Sequence, residues 1–123
     1  MLIHGDMLQK LVDKIIEDIG YNINIIDTNG IIIASGSRDR IGKFHKVGLQ
    51  AAENKCRIDI HEADESHYNH VKSGINLPFY YKDNLIGVIG ITGKPSQISE
   101  LTNIVKSMIE LMYEQELLKQ KMY

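Results

Sequence analysis

The pattern of apolar positions is most regular in residues 75–92, where it predicts a β-hairpin. β-Branched and aromatic residues crowd residues 75–81 and 85–92, on either side of a short polar turn at 82–84, as expected for two antiparallel strands. The second strand has almost no polar face, so we expect other parts of the chain to cover both of its sides. This hairpin is therefore predicted to lie at the centre of the fold.

Helical periodicity predicts an amphipathic helix near each end of the chain. The first covers residues 7–19, between a candidate N-cap at Asp6 and a candidate stop at Gly20. The second follows Pro95, with Ser96 as its candidate N-cap. Its apolar positions are Ile98, Leu101, Ile104, Val105, Met108, Ile109, Met112, Leu117 and Leu118. Its roughly 25 residues would span about 35 Å, more than a small sheet covers, so we expect its end to project, or to pair with a second copy or a following domain.

Shorter elements fill the region between the first helix and the central hairpin. Isoleucine-rich residues 22–27 and 31–35 predict another hairpin, joined by Asn29-Gly30, a dipeptide that supplies the positive φ angles of a tight turn. A loop then leads into a helix that reaches about Asn54, and a short strand is predicted at 57–60.

Glycines interrupt the otherwise apolar second strand of the central hairpin. They are Gly87, Gly90 and Gly93. A strand accepts such gaps where it bends or where another body approaches the backbone closely. On the facing strand, Asn76 and Pro78 flank Leu77, and Pro78 cannot donate to a ladder, so this strand should lie at an edge or be broken there. The hairpin resembles one wall of a small pocket; the alternative is a core hairpin whose glycines only relieve crowding.

A cluster of basic residues marks the loop between the first hairpin and the short helix. It comprises Arg38, Arg40, Lys43 and Lys46. His45 lies among them and Asp39 is the single acid. A loop that opens a helix adds free backbone N–H groups and the positive end of the helix dipole to such side chains, which together favour a carboxylate or a phosphate. The alternative is a solvated basic loop with Asp39 as its counter-ion.

The histidines of residues 61–70 raise the possibility of a metal site. His67 and His70 could share a helix face near carboxylates. No recognised ligand spacing is completed, so a polar acidic turn or helix with exposed histidines is the better interpretation. We expect neither a metal nor a cofactor.

Composition restricts the class of protein. At 123 residues the chain is expected to be one domain with a core of its own. Its 14 basic and 16 acidic residues lack the positive excess of a domain that binds nucleic acid directly. A single cysteine, Cys56, with no signal peptide and no apolar run of membrane-spanning length, predicts a soluble protein of the cytoplasm, without membrane contact.

Four motifs in order along nearly the whole chain resemble the sugar diacid recognition domain at the N-terminus of bacterial carbohydrate diacid regulators. They are Asn24-Ile25-Ile26-Asp27 with Gly30, Arg40-Ile41-Gly42 followed by His45, Gly74-Ile75-Asn76-Leu77-Pro78, and Gly87-Val88-Ile89-Gly90-Ile91-Thr92-Gly93 with Pro95. The resemblance implies an α+β sensor fold of the PAS-like or Cache-like kind, in which an antiparallel sheet of about five strands holds a ligand against helices and loops. It also implies a transcription-activating role in the complete regulator. Because the family's regulators carry a C-terminal helix-turn-helix domain and this chain stops at Tyr123, we expect either an isolated sensor or an excised piece of a regulator.

The resemblance and the residues together predict one binding pocket. Sugar diacids such as glucarate or galactarate, and the smaller acid glycerate, need Arg or helix-terminal donors for their carboxylates, and Asn, His or backbone groups for their hydroxyls. The expected ligand-binding residues are Arg38, Arg40, Ile41, Gly42, His45, Asn76, Leu77, Pro78, Gly90 and Gly93.

Three functions remain open on this basis. In the first, the domain is a non-catalytic sensor that forms a homodimer through its long helix and passes a ligand-dependent shift along that helix. In the second, it is a small enzyme acting on a sugar acid, with His45 as general base; no nucleophile, paired carboxylate or metal set accompanies this histidine at recognisable spacing. In the third, it is a dimerisation module without a ligand.

Overall fold

A computed structural model describes residues 5–67 and 72–121, which form a five-stranded antiparallel sheet between two layers of helices. The helices are α1 (Gly5–Ile19), α2 (Lys46–Asn54) and α3 (Pro95–Lys121). The strands are β1 (Ile23–Ile26), β2 (Ile32–Ser35), β3 (Ile58–Ile60), β4 (Gly74–Tyr81) and β5 (Asn84–Thr92). Short 3₁₀ helices lie at Arg38–Arg40 and Glu62–His67. The strand order β2-β1-β5-β4-β3 confirms the predicted α+β class, the number of strands and the central position of the β4–β5 hairpin.

The two faces of the sheet carry separate apolar clusters. On one face, α1 and α3 pack against residues such as Ile89 and Ile91 of β5. On the other face, Ala51 and Ala52 of α2 pack against the cluster that includes Val88. Strand β5 is therefore covered on both sides, as its continuous apolar sequence predicts.

The two hairpin turns differ from the sequence prediction in their details. In the first, Gly30 has a φ of 85°, whereas Asn29 is outside the left-handed region. The Asp27 carboxylate holds this turn by accepting from the backbone N–H of Asn29 and of Ile31. The second turn has two residues instead of three, with φ of 47° at Lys82 and 66° at Asp83. Both residues thus occupy the left-handed region that such a two-residue turn requires.

The outer edge of β2 is closed by groups from two other segments. The Ile32 N–H donates to the Lys43 carbonyl at 3.0 Å, and the Gly42 N–H donates to the Ile32 carbonyl at 2.8 Å. Further along, the Gln9 side chain of α1 accepts from the Ser35 N–H at 2.9 Å and donates to the Ser35 carbonyl at 2.7 Å. A single amide side chain thus takes the place of a neighbouring strand at that point.

At the opposite side of the sheet, β3 covers only the beginning of β4. It pairs with Gly74, Ile75 and Asn76, so Pro78 lies beyond the end of β3 and pairs with β5 alone in the described part of the chain. This agrees with the break or edge predicted at Pro78, a residue that has no N–H to donate to a ladder.

The long helix α3 has two apolar faces where the sequence predicted one. Its buried face rests on the sheet and comprises Pro95, Ile98, Thr102, Val105, Ile109, Tyr113 and Leu117. Its exposed large apolar residues are Ile104, Met108, Leu111 and Leu118. Ile109 and Leu117 belong to the apolar stripe whose end was expected to project or to pair, but both side chains are buried and complete the core.

The predicted N-cap of this helix was also wrong. Pro95 is the first residue of α3, and the carbonyl of Lys94 accepts from Gln97 and Ile98. Ser96 therefore lies inside the first turn, and proline takes the position that its fixed φ favours. None of the helices in the described part of the chain is long and apolar enough to cross a membrane.

Candidate functional site

A row of polar residues crosses the sheet on the face that α2 covers. Asn24 of β1 pairs with Gly90 of β5, and Gly90 pairs in turn with Asn76 of β4. Ser35 of β2 lies opposite Asn24 and extends the row to the edge of the sheet. A side chain at Gly90 would place its Cβ 3.2 Å from the Asn76 Oδ1 and 3.8 Å from the Asn24 Cβ, so this glycine leaves a gap between the two asparagines.

Arg40 and His45 approach this row from the segment between β2 and α2, and together they form a cleft. The space between the lining residues amounts to about 260 Å³, including the part that opens to solvent. The cleft is lined by Asn24, Arg40, His45, Lys72, Ser73, Gly74, Ile75, Asn76, Gly90, Ile91 and Thr92.

His45 serves as the N-cap of α2 and presents its other nitrogen as a donor. The Gly48 N–H donates to the His45 Nδ1 at 2.8 Å, so the proton of the neutral ring resides on Nε2. Burial and, to a smaller extent, the charge of Arg40 together lower the pKa of His45 to about 4. At neutral pH the ring is therefore an uncharged N–H donor.

The two arginines of the basic loop have different partners. The Arg38 Nη2 lies 2.7 Å from the Asp13 Oδ2 of α1, and this hydrogen bond lowers the pKa of the Asp13 carboxyl. Arg38 lies outside the cleft. Arg40 lines the cleft and has no ion-pair partner among residues 5–67 and 72–121. Of these two positive charges, the one that faces the cleft is thus available to an anion.

Five other predicted binding residues do not line the cleft. Ile41 is exposed beside it, and the Gly42 N–H is engaged by β2. Leu77 packs against the apolar cluster on the opposite face of the sheet. Pro78 is buried further along β4, and a side chain at Gly93 would meet residues of α3 and of the segment before β1. The structure therefore brings together Arg40, His45, Asn76 and Gly90 of the predicted set.

Sequence reasoning did not select Asn24, Lys72 or Thr92 as site residues, although all three line the cleft. Asn24 carried a usable signal, because it is the one polar residue of the four in β1, a strand that is buried throughout. Lys72 and Thr92 carry no comparable signal in the sequence.

No three His, Cys, Asp or Glu side chains are grouped so as to hold a metal ion in the part of the chain that the structure describes. The metal hypothesis concerned His67 and His70. His70 lies outside the described residues, and so does the side-chain placement of His67.

Comparison with known proteins shows a match to a protein family. The model of a family described as "Putative sugar diacid recognition" matches residues 3–123. The carbohydrate diacid regulator of Escherichia coli (strain K12) is 38% identical over 109 residues, which cover 89% of this chain and 28% of that protein. The uncharacterised protein YsfB of Bacillus subtilis (strain 168) is 30% identical over 111 residues, which cover 90% of this chain and 30% of that protein. The chain thus spans less than a third of the length of these relatives.

Among solved structures, the GAF domain of a phosphoenolpyruvate-protein phosphotransferase from Acinetobacter has a similar fold. The TM-score is 0.57 at 12% sequence identity, over 74% of this chain and 68% of that one. GAF domains are PAS-like in architecture, so this likeness confirms the PAS-like fold predicted from the sequence.

Proposed function

Because the chain belongs to the sugar diacid recognition family, we propose that it is a non-catalytic sensor domain of a bacterial transcriptional regulator of carbohydrate diacid use. It binds a sugar diacid or a related small hydroxy acid in the cleft and signals through α3. One observation carries this proposal: Arg40 and His45 of the β2–α2 segment, Asn76 of β4 and Gly90 of β5 line one cleft.

The polar groups of the cleft match the chemistry of such a ligand. The Arg40 guanidinium and the His45 Nε2–H are donors, and a carboxylate accepts hydrogen bonds from both. The Asn76 Oδ1 lies on the side of Gly90 and can accept a hydrogen bond from a ligand hydroxyl. Neither a carboxylate nor a thiol is among the described lining residues, so a bound anion meets no acidic side chain there.

The state of His45 favours a sensor over an enzyme. A general base needs a free lone pair and a pKa near the working pH. Here Nδ1 already accepts from Gly48, Nε2 carries the proton, and the pKa lies near 4. His45 is therefore suited to hold a carboxylate and poorly suited to abstract a proton.

Calorimetric titration of the purified chain with D-glucarate and with D-glycerate tests the binding proposal. We expect one or both acids to bind, and Arg40→Ala to weaken binding by about 1.5 to 3 kcal/mol, the range for a charge-assisted hydrogen bond. Arg38→Ala is the matched control, since it removes the same charge outside the cleft and should change affinity little. If the parent bound neither acid, or if Arg40→Ala bound as tightly as the parent, the cleft would not be an acid-binding site.

We also propose that the domain forms a homodimer through the exposed face of α3. Ile104, Met108, Leu111 and Leu118 are each between 43% and 58% exposed and follow one another at intervals of four, three and seven residues. This is the heptad spacing of a coiled-coil seam, whose burial against a second copy removes the apolar surface from water. DNA contact then belongs to a separate domain of the regulator, and the single cysteine supports a cytoplasmic location.

A further inference from the structure

We infer that Asn24 and Asn76, which face each other across Gly90, bind one hydroxyl group of the ligand between them. Asn24 donates to the hydroxyl oxygen and Asn76 accepts its proton. This inference rests on the proposed function and goes further, because it names a ligand hydroxyl as the group that the cleft recognises and assigns Asn24 to the site.

The orientation of the Asn24 amide follows from its neighbours on the side of β2. The Ser37 N–H donates to the Ser35 Oγ at 3.0 Å, and the Ser35 hydroxyl in turn donates to the Asn24 Oδ1 at 2.6 Å. The Asn22 Nδ2 also donates to that oxygen, at 3.4 Å. With Oδ1 held towards β2, the Nδ2 of Asn24 is directed the other way, towards β5 and the gap at Gly90.

The Asn76 amide has the opposite polarity. Its Nδ2 donates to the Ile58 carbonyl of β3 at 3.5 Å. Its Oδ1 lies on the side of β5, 3.2 Å from the position that a Cβ at Gly90 would occupy. An NH₂ group and a carbonyl oxygen therefore face the same gap from opposite sides.

Both asparagines are almost fully buried, with 3% and 4% of their surfaces exposed. The Asn24 Nδ2 and the Asn76 Oδ1 have no hydrogen-bond partner within residues 5–67 and 72–121. In that part of the chain, every side-chain nitrogen or oxygen that is fully buried does have a partner. These two atoms must therefore reach the open space of the cleft. A ligand that enters the cleft meets them as unused hydrogen-bonding groups.

The width of the gap suits one oxygen atom. Neighbouring strands lie about 4.8 Å apart, so β1 and β4 are separated by about 10 Å across β5. Two asparagine side chains that extend towards each other across this distance leave about two hydrogen-bond lengths between their amide groups. A hydroxyl accepts from one side and donates to the other, whereas a carboxylate cannot donate and a methylene can do neither. The gap thus distinguishes a hydroxy acid from the same acid without its hydroxyl.

Calorimetry with matched acids tests this selection. The pairs are D-glucarate with adipate, its counterpart without hydroxyls, and D-glycerate with 3-hydroxypropanoate, which lacks the hydroxyl beside the carboxylate. We expect the parent to bind the hydroxylated acid at least about tenfold more tightly, because the deoxy acid leaves both amides unpaired. Asn24→Leu and Asn76→Leu, which are close in size, should bring that ratio towards one. Asn84→Leu, at an exposed position next to the turn, is the control and should keep it.

The possible outcomes distinguish failure of this inference from failure of the proposed function. Equal affinity of the parent for both members of a pair would overturn the inference and leave acid binding in place. Discrimination that survived in both leucine variants would overturn it as well, because other groups would then recognise the hydroxyl. Failure of the parent to bind any of the four acids would overturn the proposed function and this inference with it. If a leucine variant does not fold, the alanine variant of the same asparagine takes its place, and equal affinity of the parent for both members of a pair overturns the inference in either case.

Discussion

His45 affects both the stability of the protein and the chemistry of the cleft through the protonation of one imidazole ring. Its pKa is about 4 in the folded chain and about 6.5 in an unfolded one. Between these values the unfolded state binds more protons, so the free energy of unfolding should fall as the pH drops from about 6.5 towards 4. The full shift corresponds to at most about 3 kcal/mol.

Replacement of His45 by asparagine isolates this effect, because asparagine is a good N-cap and does not titrate. Chemical denaturation at pH 7.5 and at pH 4.5 should show a loss of about 1 to 3 kcal/mol in the parent that His45→Asn lacks. His61→Asn, at an exposed position, should behave as the parent does. Equal losses in the parent and in His45→Asn would contradict the assigned pKa and its cause.

Two glycines of β5 should respond differently to the same substitution. At Gly90 an added Cβ would enter the gap between the asparagines, 3.2 Å from a side-chain oxygen. At Gly87 it would lie 2.5 Å from the backbone carbonyl of Ile26, which cannot move aside easily. Gly90→Ala should therefore reduce affinity for the tightest-binding acid by about tenfold or more with little change in stability, and Gly87→Ala should destabilise the fold.

Titration calorimetry and thermal unfolding of the two alanine variants separate these effects. Unchanged affinity in a folded Gly90→Ala protein would mean that this glycine serves only the packing of the sheet.

The sequence was sufficient to identify the residues whose chemistry is unusual where they occur. Arg40 and His45 belong to a positive loop in a slightly acidic chain, and Gly90 interrupts an apolar strand. Asn24 could not be identified in this way, because its role depends on the register of three strands that come from distant parts of the chain. Charge and composition are local properties, whereas register follows from how the whole sheet assembles.

At the scale of the element, α3 shows why periodicity is an incomplete guide. Apolar residues occur on two sides of this helix, and both sets satisfy a spacing of three or four residues. The sequence pattern therefore predicted the existence and approximate length of the helix correctly. Which set faces the core is decided by the way the helix docks on the sheet, and that information lies in the residues of β4 and β5.

The proposed homodimer through the exposed face of α3 can be tested by placing a charge in that face. Leu111 is 56% exposed near the middle of the seam, so Leu111→Glu should convert a homodimer to a monomer without affecting the core. Asn103→Glu introduces a charge at another exposed position of the same helix and should leave the dimer intact.

Sedimentation at tens of micromolar measures the difference. A monomeric parent, or a Leu111→Glu protein that dimerises as the parent does, would exclude this face from the interface.

At the scale of the whole molecule, β4 connects the cleft with the long helix. Asn76 lies at the cleft, and four residues further on the Tyr80 N–H donates to the Glu110 carboxylate of α3 at 2.8 Å. The same carboxylate is 3.3 Å from the Lys106 ammonium. A displacement of β4 on ligand binding would therefore reach α3 through a hydrogen bond to the backbone as well as through packing, which gives the proposed signal a physical route.

The closed edge of β2 has a consequence for how copies of this protein can meet. An open sheet edge invites another chain to add its own strand, and sheets can then join into continuous ribbons. Here the outward backbone groups of Ile32 and Ser35 are already engaged by Lys43, Gly42 and Gln9. Backbone pairing depends little on which side chains a strand carries, and it is suppressed at this edge, so association there has to rely on particular side chains. If the proposed dimer forms through α3, a few substitutions on that helix would suffice to stop related proteins in one cell from pairing with each other.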